Sequence, residues 1–175
     1  MTGELKSKQT VWSEIGRYRT GDVVERIHHA GLSTDGRLCF VSAFQEETYL
    51  IWDIRSAKPI CIEDGEQEVP DHPDLEDWMT DGYIQLDEGP GKGRYRIFGL
   101  LHNHPMLEAE GVALIINGKN SEIDLKDLST GNLLQTLGYH SLSGDWAAAS
   151  FSEDGSIIAV AEPYYITFFS RVSVV

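Results

Sequence analysis

The chain has 175 residues, and its 28 Asp and Glu against 14 Lys and Arg give a net charge of −14. That balance repels nucleic acid and anionic membrane and favours a basic partner or a cation. With 41% apolar residues the chain can bury a core, and its two cysteines are too few for a disulfide framework.

Residues 1–22 form a polar lead-in whose few apolar positions, Val11, Trp12, Ile15 and Tyr18, allow one strand or a short helix. Its opening, MTGELKSKQTVWSE, lacks the apolar core of a signal peptide, and no run approaches the roughly 18 apolar residues that span a bilayer. Cytoplasmic residence is the expectation.

From Val23 the pattern is that of short strands. VVERIHHAGLS reads as a strand, Thr34-Asp35-Gly36 as a tight turn, RLCFVSAF and TYLIWDI as two more strands, and PICIED as a fourth. Asp-Gly between apolar runs is a hairpin signal, because Gly takes positive φ without a Cβ clash. Cys39 lies inside RLCFV and reads as a buried thiol.

Residues 63–93 differ in character. From Glu63 to Gly91 there are eleven acidic residues and no Lys or Arg. The segment reads as a long acidic insertion, with a helical turn around PDLEDWM. Aromatic anchors ringed by charge suit a steered protein interface, so the candidate partner-binding residues are Asp74, Glu76, Asp77, Trp78, Asp81 and Tyr83.

Strand patterns resume over 94–140 and 141–175. RYRIFGLLH, VALIIN, IDLKDL and NLLQTLGYH are separated by Glu110-Gly111, Asn117-Gly118 and Ser129-Thr130-Gly131; DWAAASF and SIIAVA then flank Asp154-Gly155. Short strands at intervals of about ten residues predict a single all-β domain with little helix.

Two stretches repeat: Leu32-Ser33-Thr34-Asp35-Gly36-Arg37-Leu38 beside Phe151-Ser152-Glu153-Asp154-Gly155-Ser156-Ile157. With Trp52-Asp53, the Ser-Thr-Gly turn at 129–131 and Gly138-Tyr139-His140, they resemble the WD40 repeats of β-propellers. The resemblance covers roughly 23–62 and 94–169, in three blade-like units (23–62, 94–140 and a partial 141–175). It implies antiparallel four-stranded blades, an incomplete or small propeller, and an Asp after the aromatic that supports a turn. An open propeller would leave blade faces and edges to be covered by a partner or by the insertion.

Chemistry-bearing motifs are sparse. His102-x-His104 could present two rings on one strand face, but Asn103 and Pro105 suit a strand end, and His28, His29, His72 and His140 give no third ligand at diagnostic spacing. There is no Gly-x-Ser-x-Gly, and EGPGKGRY lacks the phosphate-loop spacing. The expectation is a non-enzymatic binding protein without cofactor or metal. Its role would be that of an immunity or inhibitor protein neutralising a basic partner such as a bacterial toxin. The alternatives are a WD40-type scaffold that bridges partners or forms a homo-oligomer, and a metal-dependent enzyme using the histidines.

Overall fold

The computed structural model describes residues 10–20, 26–42, 49–63, 79–100 and 104–173. Among them the chain is all-β, as expected, in three antiparallel sheets. None of these residues forms a helix long and apolar enough to cross a membrane.

One sheet runs in the order β1-β15-β14-β13, from β1 (Thr10–Arg19), β13 (Ala148–Phe151), β14 (Ile157–Ala161) and β15 (Tyr165–Ser173). The lead-in is therefore a strand, paired with β15 from Thr10↔Ser173 to Arg19↔Tyr165. This sheet is the middle layer. Along β14, Ile157, Ala159 and Ala161 face one core, while Ile158 and Val160 face another. A strand covered on both faces has no polar side to show, which is why Ile157–Ala161 is a continuous apolar run.

The second sheet has seven strands in the order β5-β4-β3-β2-β8-β7-β6. These are β2 (His29–Ser33), β3 (Leu38–Ser42), β4 (Tyr49–Asp53), β5 (Lys58–Glu63), β6 (Met79–Thr80), β7 (Tyr83–Leu86) and β8 (Gly93–Gly99). It packs on the middle layer through Leu32, Val41, Leu50 and Phe98 against Ile157, Ile166 and Phe168. Burying each of these larger side chains contributes roughly 1.5–3 kcal/mol. The chain leaves β5 at one edge and returns at the other, so β8 docks on β2 rather than on the strands that follow it. Gly31 makes room for this: a Cβ there would lie 2.6 Å from Ile97 Cδ1.

The third sheet, β12-β11-β10-β9, comprises β9 (Glu108–Ala109), β10 (Val112–Asn117), β11 (Glu122–Asp127) and β12 (Leu133–Gly138). Leu114, Ile123, Leu125 and Leu137 meet Trp12, Phe151, Ile158 and Phe169 of the middle layer. Its other face alternates to polar, and Thr136 donates a 2.7 Å hydrogen bond to Asp124.

The two outer faces are thus finished differently. The third sheet ends in a wet face. The seven-stranded sheet buries Phe40, Ile51, Ile84, Tyr95 and Ile97 in a cluster of its own, and Gly91 lies over Ile51 while accepting the Tyr95 hydroxyl. Among the described residues the three sheets close neither a barrel nor a full ring.

Edges are handled one by one. β1 is an edge of the middle sheet, and Gln135 of β12 covers it: its side-chain oxygen accepts from Trp12 N at 2.9 Å and its nitrogen donates to Trp12 O at 2.8 Å. An amide side chain here stands in for a neighbouring strand.

Candidate functional site

The two repeated stretches build the same turn atom for atom. Ser33 Oγ donates to Asp35 Oδ1 at 2.8 Å and accepts from Leu38 N at 2.8 Å, while Gly36, at φ 62°, donates to Ser33 O at 2.9 Å. Ser152 Oγ donates to Asp154 and accepts from Ile157 N at 3.0 Å, and Gly155, at φ 66°, donates to Ser152 O at 2.8 Å. Glu110-Gly111 makes the corresponding bend between β9 and β10 with both residues at positive φ, 46° and 81°. The three bends lie side by side. Gly36 abuts Ser152 and Ser156, and Gly155 abuts Ala109.

A second device recurs between the last two strands of two sheets. Asp53 Oδ1 accepts from Arg55 N at 3.0 Å and Ser56 N at 2.9 Å; Asp127 Oδ1 accepts from Ser129 N at 2.9 Å and Thr130 N at 2.8 Å. Each turn then closes on its Asp carbonyl, from Ala57 N at 3.1 Å and Gly131 N at 2.7 Å. Both aspartates are turn-makers; Asp53 is the residue after the aromatic Trp52, whereas Asp127 follows Lys126.

The acidic insertion enters this arrangement only in part. Asp74, Glu76, Asp77 and Trp78 lie outside the described residues. Asp81 is exposed, at φ 54°, and with Gly82 forms the bend joining β6 to β7. Gly82 has to be glycine, because a Cβ there would lie 2.6 Å from His104 Cγ.

Tyr83 is half-buried in a polar network. Its hydroxyl donates to Glu153 of the Ser152 turn and accepts from Arg96 at 3.2 Å, and the Arg94 guanidinium carbon lies 3.6 Å from the ring centre. The phenol is held above its ordinary range, first by the bond to Glu153 and next by burial. The ring thus ties β7 and β8 to the middle sheet, and Asp81 is not in that network. Sequence reasoning missed Arg94, Arg96 and Glu153 as its partners. The signal was there in RYR: alternation on β8 sends Arg94 and Arg96 to one face and the buried Tyr95 to the other.

The histidines are dispersed. His104 packs on Gly82 and its carbonyl accepts from Arg96 Nε at 2.9 Å. His140 sits edge-on to Tyr165 with ring centres 4.5 Å apart, and His29 is buried on β2. His72 and His102 lie outside the described residues. Among the described residues no three His, Cys, Asp or Glu side chains converge on a point where a metal ion could sit. Cys39 is fully buried, and burial pushes its thiol far above the reactive range.

No protein-family model matches the chain, and a search of the curated proteins returns no match.

Proposed function

We propose that the protein is a non-enzymatic binding module whose acidic segment engages a basic protein, in the manner of an immunity or inhibitor protein that neutralises a cationic toxin. The observation that carries this reading is the division of labour among the carboxylates. Asp35, Asp53, Asp127 and Asp154 are consumed by turns, each accepting hydrogen bonds from its own loop. Of the eleven acidic residues of 63–91, seven, from Asp64 to Asp77, fall between β5 and β6, strands that sit at opposite edges of one sheet. Asp81, the member of the candidate set displayed at a bend, is exposed. Acidic charge in excess of what the fold uses speeds encounter with a basic surface and resists the wrong partners.

The test is a binding titration of the full chain with the basic protein encoded beside it or co-purifying with it. The variant Glu76→Gln/Asp77→Asn/Asp81→Asn should bind more slowly, with a weaker dependence of the on-rate on salt. Unchanged kinetics in that variant would sink the reading.

A scaffold of the WD40 type that self-associates is the second reading, and one observation favours it. β12 is a sheet edge carrying Leu133 and Leu134, 57% and 52% exposed, and no charged residue occurs from Ser129 to Gly144. Uncharged edge strands are the ones that pair with another chain. Sedimentation at micromolar concentration separates the two, since this reading requires a dimer or larger species.

A further inference from the structure

At the end of the molecule where the Asp-Gly bends gather there is a groove of about 680 Å³, flanked by Arg37, Lys92 and Arg94 and lined by Leu38, Ile60 and Pro90. Three exposed cations around one groove are notable in a chain that has 14 in total and a net charge of −14. Two exposed carboxylates also border it, Asp35 and Asp154, and each is hydrogen-bonded within its own bend. Asp35 accepts from Ser33 Oγ and from Arg37 N at 3.1 Å; Asp154 accepts from Ser152 and Ser156. Among the described residues Lys92 and Arg94 make no ion pair, and Arg37, with 66% of its side chain exposed, makes one 3.6 Å contact to Asp53.

We propose that this groove binds an acidic, extended segment of a partner protein, with Arg37, Lys92 and Arg94 taking carboxylates and Leu38, Ile60 and Pro90 taking an apolar side chain between them. Arg94 is already held in place by the Tyr83 ring, so its guanidinium is presented at little further entropic cost. The volume falls within the usual range for ligand sites, roughly 300–1,000 Å³. Nucleic acid is the poorer occupant, because a polyanion approaching the chain meets its net negative field. A short acidic peptide carries few charges and gains apolar contact that a bare phosphate cannot. The surface is made wholly of residues outside the candidate set for the basic partner, so the two readings stand or fall separately.

The experiment is fluorescence anisotropy of a labelled decapeptide alternating Glu and Leu, titrated with the full chain. Saturable binding is expected, weakened about tenfold or more by Arg37→Glu/Lys92→Glu, and by a smaller factor when both become Gln. Lys92→Glu alone removes an exposed cation that makes no ion pair, so it keeps the test valid if a double variant does not fold; thermal unfolding checks each variant. Two results would overturn the proposal: unchanged affinity in the folded variants, or displacement of the peptide by inorganic phosphate at equal concentration.

Discussion

Gly36 and Ser152 belong to different sheets, yet their turns are fitted to each other: a Cβ on Gly36 would lie 3.0 Å from the Ser152 hydroxyl and 3.0 Å from that of Ser156. The same glycine sits at φ 62°, which L side chains adopt only with strain. Gly36→Ala is therefore expected to destabilise the chain by about 1–3 kcal/mol, the upper end if the Ser152 turn cannot yield. Urea unfolding measures it; a change below about 0.5 kcal/mol would show that the two turns are not packed as described.

Ala57 invites the opposite substitution. It occupies the place that Gly131 holds in the companion turn, but with a Cβ, at φ 59°. Ala57→Gly should stabilise the protein by about 0.5–1 kcal/mol, since relief of the left-handed strain exceeds the added freedom of the unfolded chain. The readout is the same unfolding midpoint.

The turn aspartates set an acid limb on stability. Asp53 is held below the ordinary carboxylate range chiefly by the Ser56 N–H, and Asp127 chiefly by the Ser129 hydroxyl. For Asp154 burial opposes the charge, but the bonds from Ser152 and Ser156 prevail and its carboxyl is lowered too. A depressed folded value means that the stabilisation is fully present above the ordinary aspartate value of about 3.9 and is lost as pH falls through the lower folded one. Stability should therefore decline below about pH 4, and Asp53→Asn/Asp127→Asn should flatten that decline. A pH series of thermal midpoints decides it.

Glu162 has the opposite sign. It is buried, and burial raises its carboxyl above the ordinary range, although Tyr164 N and Leu142 N donate to it at 3.0 and 3.4 Å. Its charged form therefore costs stability at neutral pH, and the cost disappears as pH falls below the ordinary glutamate value of about 4.3. In the double Asp variant, where the competing acid limb is reduced, acidification from pH 7 toward about 4.3 should raise the thermal midpoint. A flat profile would count against the assignment.

Gln135→Ala removes both bonds that cover the β1 edge at Trp12, at a cost of about 1–3 kcal/mol for two partly buried pairs. The uncovered edge should also make the variant self-associate more readily than the parent, which light scattering would register.

Much of the strand pattern could be read ahead of the structure, because turn chemistry is local. Asp35-Gly36, Asp154-Gly155 and Ser129-Thr130-Gly131 mark bends through the conformations their own residues allow. Partner choice is not local. Nothing in GRYRIFG announces that β8 will lie on β2, since the determinant is the missing side chain of Gly31 on the other strand. Tyr83 was legible as an aromatic in an acidic stretch, while its engagement by Arg94, Arg96 and Glu153 depends on three elements meeting in space.

The pairing of Thr10 with Ser173 also has a kinetic side. β1 is made long before the strand it must lie against, so the middle layer stays unfinished, and its two apolar cores half-covered, until Tyr165–Ser173 has left the ribosome. The same adjacency makes the sheet indifferent to where the chain is cut. A short linker joining those two strand ends, with a new opening at the exposed bend around Gly118, should leave every strand with its present neighbours.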